Sequence, residues 1–184
     1  MQRIVIIGAT GSGKTTFAKK LAEALAIPHH PIDDIRFLAN WEIRPMDELR
    51  ADITDLVNQP AWVMDGNYSK LRDLTWGNAD TVIWLNYSFP VAFSRLVRRT
   101  LRRIITREEL FGGCVETFQS QFLSKDSLFL WFFQTFWKHR KLYPQVFQQP
   151  EFNHVNFITL KSPRDTKKFL SQVSTVSSQP IIAA

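Results

Sequence analysis

Apolar and polar positions along this chain switch between two periods, and the switching predicts its architecture. Residues 3–7 are a β-branched run that predicts a buried first strand, and glycines follow it. From Lys14 to Leu25 the apolar residues Phe17, Ala18, Leu21, Ala22 and Leu25 recur at helical spacing. Residues 29–33 form a candidate second strand closed by acidic residues, and residues 47–57 a helix. A third strand over 61–64 ends in Asp65-Gly66, and 81–85 is a fourth. Pro90 stands where a helix begins, and residues 91–105 are amphipathic with arginines on the exposed side. Residues 107–125 contain Gly112-Gly113 and little period, which predicts a mobile segment with some helix. Residues 126–143 read as a long aromatic helix, buried because its apolar residues over 128–137 recur on nearly every side. A fifth strand over 155–160 precedes Ser162-Pro163-Arg164-Asp165, an N-cap and first turn for a helix over 166–173. Strands and helices in alternation predict an α/β fold, a parallel sheet covered by helices. One domain spans 1–173, residues 174–184 form a loose tail, and no internal repeat is evident.

Composition narrows the class. At 184 residues, 45% hydrophobic and 22% charged, the chain suits one soluble globular domain rather than a disordered segment. The net charge of +6 favours anionic partners, and the excess is local: Arg95, Arg98, Arg99, Arg102, Arg103 and Arg107 fall in one short stretch. A single cysteine, Cys114, excludes an intrachain disulfide and a cysteine metal site, and His29-His30, His139 and His154 lack zinc-ligand spacing. The apolar run at the start is too short for a signal peptide, and residues 128–137 fall short of the ~20 needed to span a bilayer. A cytoplasmic protein without membrane contact is expected.

The chemistry starts at Gly8-Ala9-Thr10-Gly11-Ser12-Gly13-Lys14-Thr15, a full match to the phosphate-binding loop, placed between a strand and a helix as that motif requires. Its glycines let successive N–H groups turn toward one anion, and the helix start adds the positive end of its dipole. Gly8 through Thr16 would hold a nucleoside triphosphate, ATP or GTP, with Lys14 on the β- and γ-phosphates and the Thr15 hydroxyl on Mg²⁺. A dinucleotide-binding turn would need glycine at position 14, where lysine stands.

Ligands of open parallel sheets bind beyond the carboxyl ends of the strands, where two acidic positions occur. Asp65, after the third strand, either caps its turn or holds Mg²⁺ through water. Asp33 either begins the next helical turn or orients an acceptor hydroxyl and accepts its proton. Arg36, Asn67 and Tyr68 are candidates for contact with that acceptor. The arginine stretch is either a solvated basic face or part of a lid, roughly 104–127, in which Arg102, Arg103 and Arg107 reach the migrating phosphoryl group. Basic helices beside Phe111, Phe118 and Phe122 also fit a nucleic-acid surface.

The loop over 8–15, Ile32-Asp33-Asp34, Val63-Met64-Asp65-Gly66-Asn67-Tyr68, the arginine helix and Glu108-Glu109-Leu110-Phe111-Gly112-Gly113 together resemble the bacterial adenylate-kinase-related proteins of the topology modulation type, over essentially residues 2–173. The resemblance implies the nucleoside monophosphate kinase fold, a five-stranded parallel sheet in the order 2-3-1-4-5. It further implies ATP or GTP with Mg²⁺, a lid from the arginine helix onward, and a base-binding loop near 162–164. Adenylate kinases follow their Asp-Gly with an aromatic, proline and arginine, whereas Asn67-Tyr68-Ser69 stands here. Gly112-Gly113-Cys114-Val115 replaces the Asn-Gly-Asn-Arg run that members of this type carry.

A phosphotransferase that moves the γ-phosphoryl group to a small-molecule hydroxyl or phosphate acceptor is therefore expected, as monomer or dimer. Its catalytic set would be Lys14, Asp33, Arg102, Arg103 and Arg107. The alternatives are a triphosphate-dependent switch or ATPase acting on nucleic acid or protein, and a nucleotide-binding protein without turnover.

Overall fold

The computed structural model describes residues 1–107 and 127–177. Its centre is a five-stranded parallel sheet in the order β2-β3-β1-β4-β5. The strands are β1 (Arg3–Gly8), β2 (His29–Pro31), β3 (Trp62–Asp65), β4 (Thr81–Leu85) and β5 (Asn156–Leu160). Registers Ile6 to Asp65, Gly8 to Leu85 and Pro31 to Asp65 bring the strand ends together along one rim of the sheet.

The helices are α1 (Lys14–Leu25), α2 (Ile32–Arg36), α3 (Met46–Val57), α4 (Arg72–Thr75), α5 (Phe89–Thr106), α6 (Leu128–Val146) and α7 (Pro163–Ser177). Strand periodicity divides the core. Val5, Ile7, Met64, Val82 and Trp84 face one side with Leu49 and Ile53 of α3, Trp76, and Tyr143 and Val146 of α6. Ile4, Ile6, Val63, Ile83 and Leu85 face the other with Phe17 and Leu21 of α1 and Val173 of α7. Each large side chain buried in this way contributes about 1.5–3 kcal/mol relative to exposure. A smaller cluster of Ala92, Leu96, Phe132 and Phe136 fastens α5 to α6. Among the described residues no helix is long and apolar enough to cross a membrane.

Four sequence expectations change. The second strand stops at Pro31, and residues 32–36 are helical, so Asp33 and Asp34 occupy a first helical turn where carboxylates suit the dipole. The last helix starts earlier and runs to Ser177, so its final turns replace part of the expected tail. The aromatic helix is buried on one side only: Phe132, Phe136 and Tyr143 are covered, whereas Trp131, Phe133 and Trp137 are exposed by half or more. Its helical period turns those three away from the sheet. The arginine helix starts at Phe89 with Pro90 in its first turn and ends at Arg107, whose left-handed φ of 48° closes it. The expected lid core, with Glu108–Val115 and Cys114, lies outside the described residues.

Candidate nucleotide and acceptor site

Gly8, at the end of β1, and Gly13, at the start of α1, bracket the phosphate loop. Gly11 and Gly13 take φ of 80° and 90°, a region that costs other residues strain. Gly11 also packs tightly against α5, since a Cβ there would stand 2.7 Å from the Leu96 Cβ and 2.9 Å from the Ala92 carbonyl oxygen. The loop is closed by one turn bond, Ser12 N–H to Ala9 C=O at 3.1 Å. Among the described residues the N–H groups of Gly11, Gly13, Lys14 and Thr15 meet no main-chain acceptor, and the Ser12 hydroxyl is buried without a partner. Uncommitted donors converging at a helix start form an anion site. A phosphate chain fits it.

Lys14 extends across the loop and donates from Nζ to the carbonyls of Gly8 at 3.0 Å and Ala9 at 3.3 Å. Burial draws its pKa below the ordinary lysine value, the carboxylates of Asp33 and Asp65 oppose that shift, and the Arg99 guanidinium adds to it. Lys14 thus lies in the fields of two carboxylates from different strand ends.

Asp65 is 3% exposed, and both of its oxygens are engaged. Oδ2 accepts from the Thr15 hydroxyl at 2.7 Å, and Oδ1 accepts from His29 Nε2 at 2.8 Å. The Thr15 hydroxyl and the Asp65 carboxylate are hard oxygen donors beside the anion site, a set that suits Mg²⁺ shared with phosphate oxygens. No group of His, Cys, Asp and Glu among the described residues could enclose a metal without such a ligand.

On the far side of Lys14, the Tyr68 hydroxyl donates to Asp33 Oδ1. Gly66 permits this, because its φ of 148° and missing Cβ leave room for the Tyr68 ring, which a Cβ would approach to 2.8 Å. The Arg36 guanidinium lies over the Tyr68 ring, 5.1 Å from its centroid. Burial and the Asp33 charge push the Tyr68 phenol well above the ordinary tyrosine value, so it remains a hydrogen donor. Asp34 points outward, and burial followed by the neighbouring Asp33 raises its carboxyl.

The structure therefore brings Lys14, Thr15, Asp65, Asp33, Arg36 and Tyr68 to one rim. Asn67 also makes a contact that the sequence did not suggest. Its amide donates to the Gly8 carbonyl at 2.6 Å and accepts from the Gly8 N–H at 3.1 Å, so it clamps the phosphate loop while also lining the cleft beside Tyr68. The arginines also rank differently. Arg95 lies against Gly13, with Nη2 3.5 Å from where a Cβ would stand, and Arg99 is close enough to Lys14 to depress it. Arg102, Arg103 and Arg107 lie further along α5 from the loop.

Several residues escaped the sequence. His29 belongs to a strand whose pairing was expected, but its contact with Asp65 depends on β2 lying beside β3. Arg72 and Tyr143 line a narrow cleft with Gly66, Asn67 and Tyr68, although α4 and α6 are about 70 residues apart in sequence. His139 stacks on Tyr143, with ring centroids 5.0 Å apart. A carboxylate three or four residues from a histidine or arginine is a local signal; these contacts carry none.

The sequence matches no protein-family model and no curated protein. The fold is similar to solved kinases. One is shikimate kinase from Acinetobacter baumannii in complex with shikimate, 14% identical over 100% of this chain and 96% of that one, with a TM-score of 0.55. Shikimate kinase from Aquifex aeolicus is 15% identical over 95% of this chain and 98% of that one, at 0.51. A gluconokinase from Sinorhizobium meliloti is 18% identical over 95% and 94%, at 0.52. With the sheet order 2-3-1-4-5 and flanking helices, this chain shares the fold of these solved proteins.

Proposed function

We propose that the protein is a phosphotransferase that moves the γ-phosphoryl group of ATP or GTP to a small-molecule acceptor. The observation that carries this reading is the placement of Lys14 between two carboxylates with separate partners. Asp65 is tied to the Thr15 hydroxyl, and Asp33 to the Tyr68 hydroxyl. A site that only hydrolysed triphosphate would have no use for a second carboxylate near Lys14 paired with a phenol.

Thr15, and Asp65 through water, would hold Mg²⁺, which would supply positive charge against the phosphate oxygens. The loop amides and Lys14 orient the phosphate chain and favour the transition-state charge. Asp33, oriented by Tyr68, accepts the proton of the acceptor hydroxyl as its oxygen bonds to the γ-phosphorus. The bond from that phosphorus to the β-γ bridging oxygen breaks, and the diphosphate leaves. Arg95 and Arg99 are the described α5 cations best placed for the γ-phosphate, and the reading extends to Arg102, Arg103 and Arg107 of the same helix. Kinship with the topology modulation type belongs to this reading and rests on the residues quoted for it above.

The test is transfer of label from γ-³²P ATP and GTP to a panel of hydroxylated metabolites and nucleoside monophosphates, using native protein and Lys14→Ala. Labelled product from the native protein alone supports the reading. Release of inorganic phosphate, unaffected by every acceptor, would count against it.

A further inference from the structure

Arg72 opens α4, half-buried on the wall of the cleft that Gly66, Asn67, Tyr68 and Tyr143 share. Its guanidinium lies over Trp76, 4.8 Å from the ring centroid, and that ring is locked by Tyr143, Phe152 and Phe157. Arg36 lies over the Tyr68 and Phe37 rings, and two other arginines nearby have carboxylate partners. Arg44 is paired with Asp52, and Arg50 takes Asp73, the residue next to Arg72. Among the described residues no carboxylate pairs with Arg72. Burial draws its pKa below the ordinary arginine value, only partly opposed by Tyr143 and the surface carboxylate of Glu151. A half-buried guanidinium that pairs with no carboxylate leaves its fork available to a ligand. Its planar fork suits the paired oxygens of a carboxylate or phosphate.

A second group points the same way. His139 reaches toward this region from α6 and stacks on Tyr143, and its Nδ1 is buried without a partner. Burial, then the charges of Lys14, Lys138 and Arg72, push its imidazole down to about 4. At neutral pH it therefore offers a hydrogen-bonding nitrogen and no further charge.

We propose that this cleft selects an anionic acceptor: Arg72 binds a carboxylate or phosphate of a small hydroxylated molecule whose reacting hydroxyl meets Asp33 and Tyr68. Tyr68 joins the two ends, since its ring lines the cleft with Arg72 and its hydroxyl holds Asp33. The inference rests on the kinase reading for the word acceptor, but the anion site stands on Arg72 itself.

Matched probes test it: gluconate against glucose, and glycerate and glycerol 3-phosphate against glycerol. Each is followed by label transfer from ATP and by calorimetric binding in the presence of ADP and Mg²⁺. Native protein is compared with Arg72→Gln and with Arg72→Lys, which keeps the charge but loses the fork. At least one anionic probe is expected to bind roughly tenfold or more tightly than its neutral counterpart. Arg72→Gln is expected to weaken that probe about 10- to 100-fold, Arg72→Lys less, with the neutral probe and ADP little changed. The carboxylate and phosphate arms separate the two anion chemistries. Equal binding of charged and neutral members, no binding of any anion, or equal weakening of ADP in Arg72→Gln would each overturn the proposal. Anion binding through Arg72 without label transfer would keep the site and remove the kinase reading. Transfer to a neutral acceptor, undiminished in Arg72→Gln, would do the reverse.

Discussion

Asn67 separates two roles that predict opposite measurements. Gly8 is buried, and its N–H finds the Asn67 side-chain oxygen at 3.1 Å. Asn67→Ala leaves that donor unpaired, a loss of about 1–3 kcal/mol. The Gly8 carbonyl also loses the 2.6 Å bond from Asn67 but keeps Lys14 Nζ at 3.0 Å. That second loss is smaller, about 0.5–1.5 kcal/mol. Together they predict destabilisation of about 2–4 kcal/mol, a fall in urea midpoint on the order of 1–2 M. Asn67→Asp keeps an acceptor for the N–H but sets an oxygen against the Gly8 carbonyl. Repulsion raises that new carboxyl above its unfolded pKa, so the deficit at neutral pH is at least as large as for alanine and shrinks as pH falls and the carboxyl becomes a donor. Urea unfolding across mildly acidic to neutral pH, with calorimetric ADP titration, measures both effects. If Asn67 serves the acceptor instead, the variants should unfold and bind ADP like native protein. Midpoints within about 0.2 M of native for both substitutions would refute the clamp.

Three further outcomes follow from the same geometry. Gly11→Ala should destabilise by about 2–5 kcal/mol in thermal or urea unfolding, through positive-φ strain and overpacking against α5, and should weaken ADP binding; native-like stability would show that α5 yields freely. Asp65→Asn should reduce the preference for Mg²⁺-ADP over metal-free ADP about tenfold in calorimetry, since it removes the charge that Thr15 and His29 hold in place; an unchanged preference would take Asp65 out of the metal's reach. For acid, His139 has a folded pKa pushed down from 6.5 to about 4, and His30 shifts the same way, mainly through burial. A depressed pKa contributes stability that is complete above 6.5 and lost as pH falls toward 4, here about 1–2 kcal/mol after allowing for solvent screening around a half-buried ring. The acid limb of Tm against pH should therefore flatten in His139→Phe, and parallel curves for the two proteins would contradict this.

Much of the glycine-loop region was legible along the chain, because its signals are local. A β-branched run, glycines at fixed offsets and an amphipathic helix are adjacent residues, so Gly8 to Thr16 could be read as one unit before any contact was known. Asp65 was legible for a related reason, since it ends an apolar run that the sheet order sets beside β1. Local signals also misled. Asp33 and Asp34 looked like the close of a strand, but Pro31 ends β2 and the acids begin a helical turn.

By itself the sequence determined the α/β class, the strand order inferred from resemblance, and the strand, glycine loop and helix that carry Lys14. Only the tertiary structure decided how the rim around Asp33 and Tyr68 is assembled. It turned Asn67 back onto Gly8, joined Tyr68 to Asp33, set His29 behind Asp65, and brought Arg72 and Tyr143 to one cleft from separate helices, with His139 stacked on Tyr143. The physical reason is range. Backbone conformation and amphipathic period are set by neighbours a few residues apart, whereas a buried charge finds its partner only after packing has fixed which distant side chains share its surroundings.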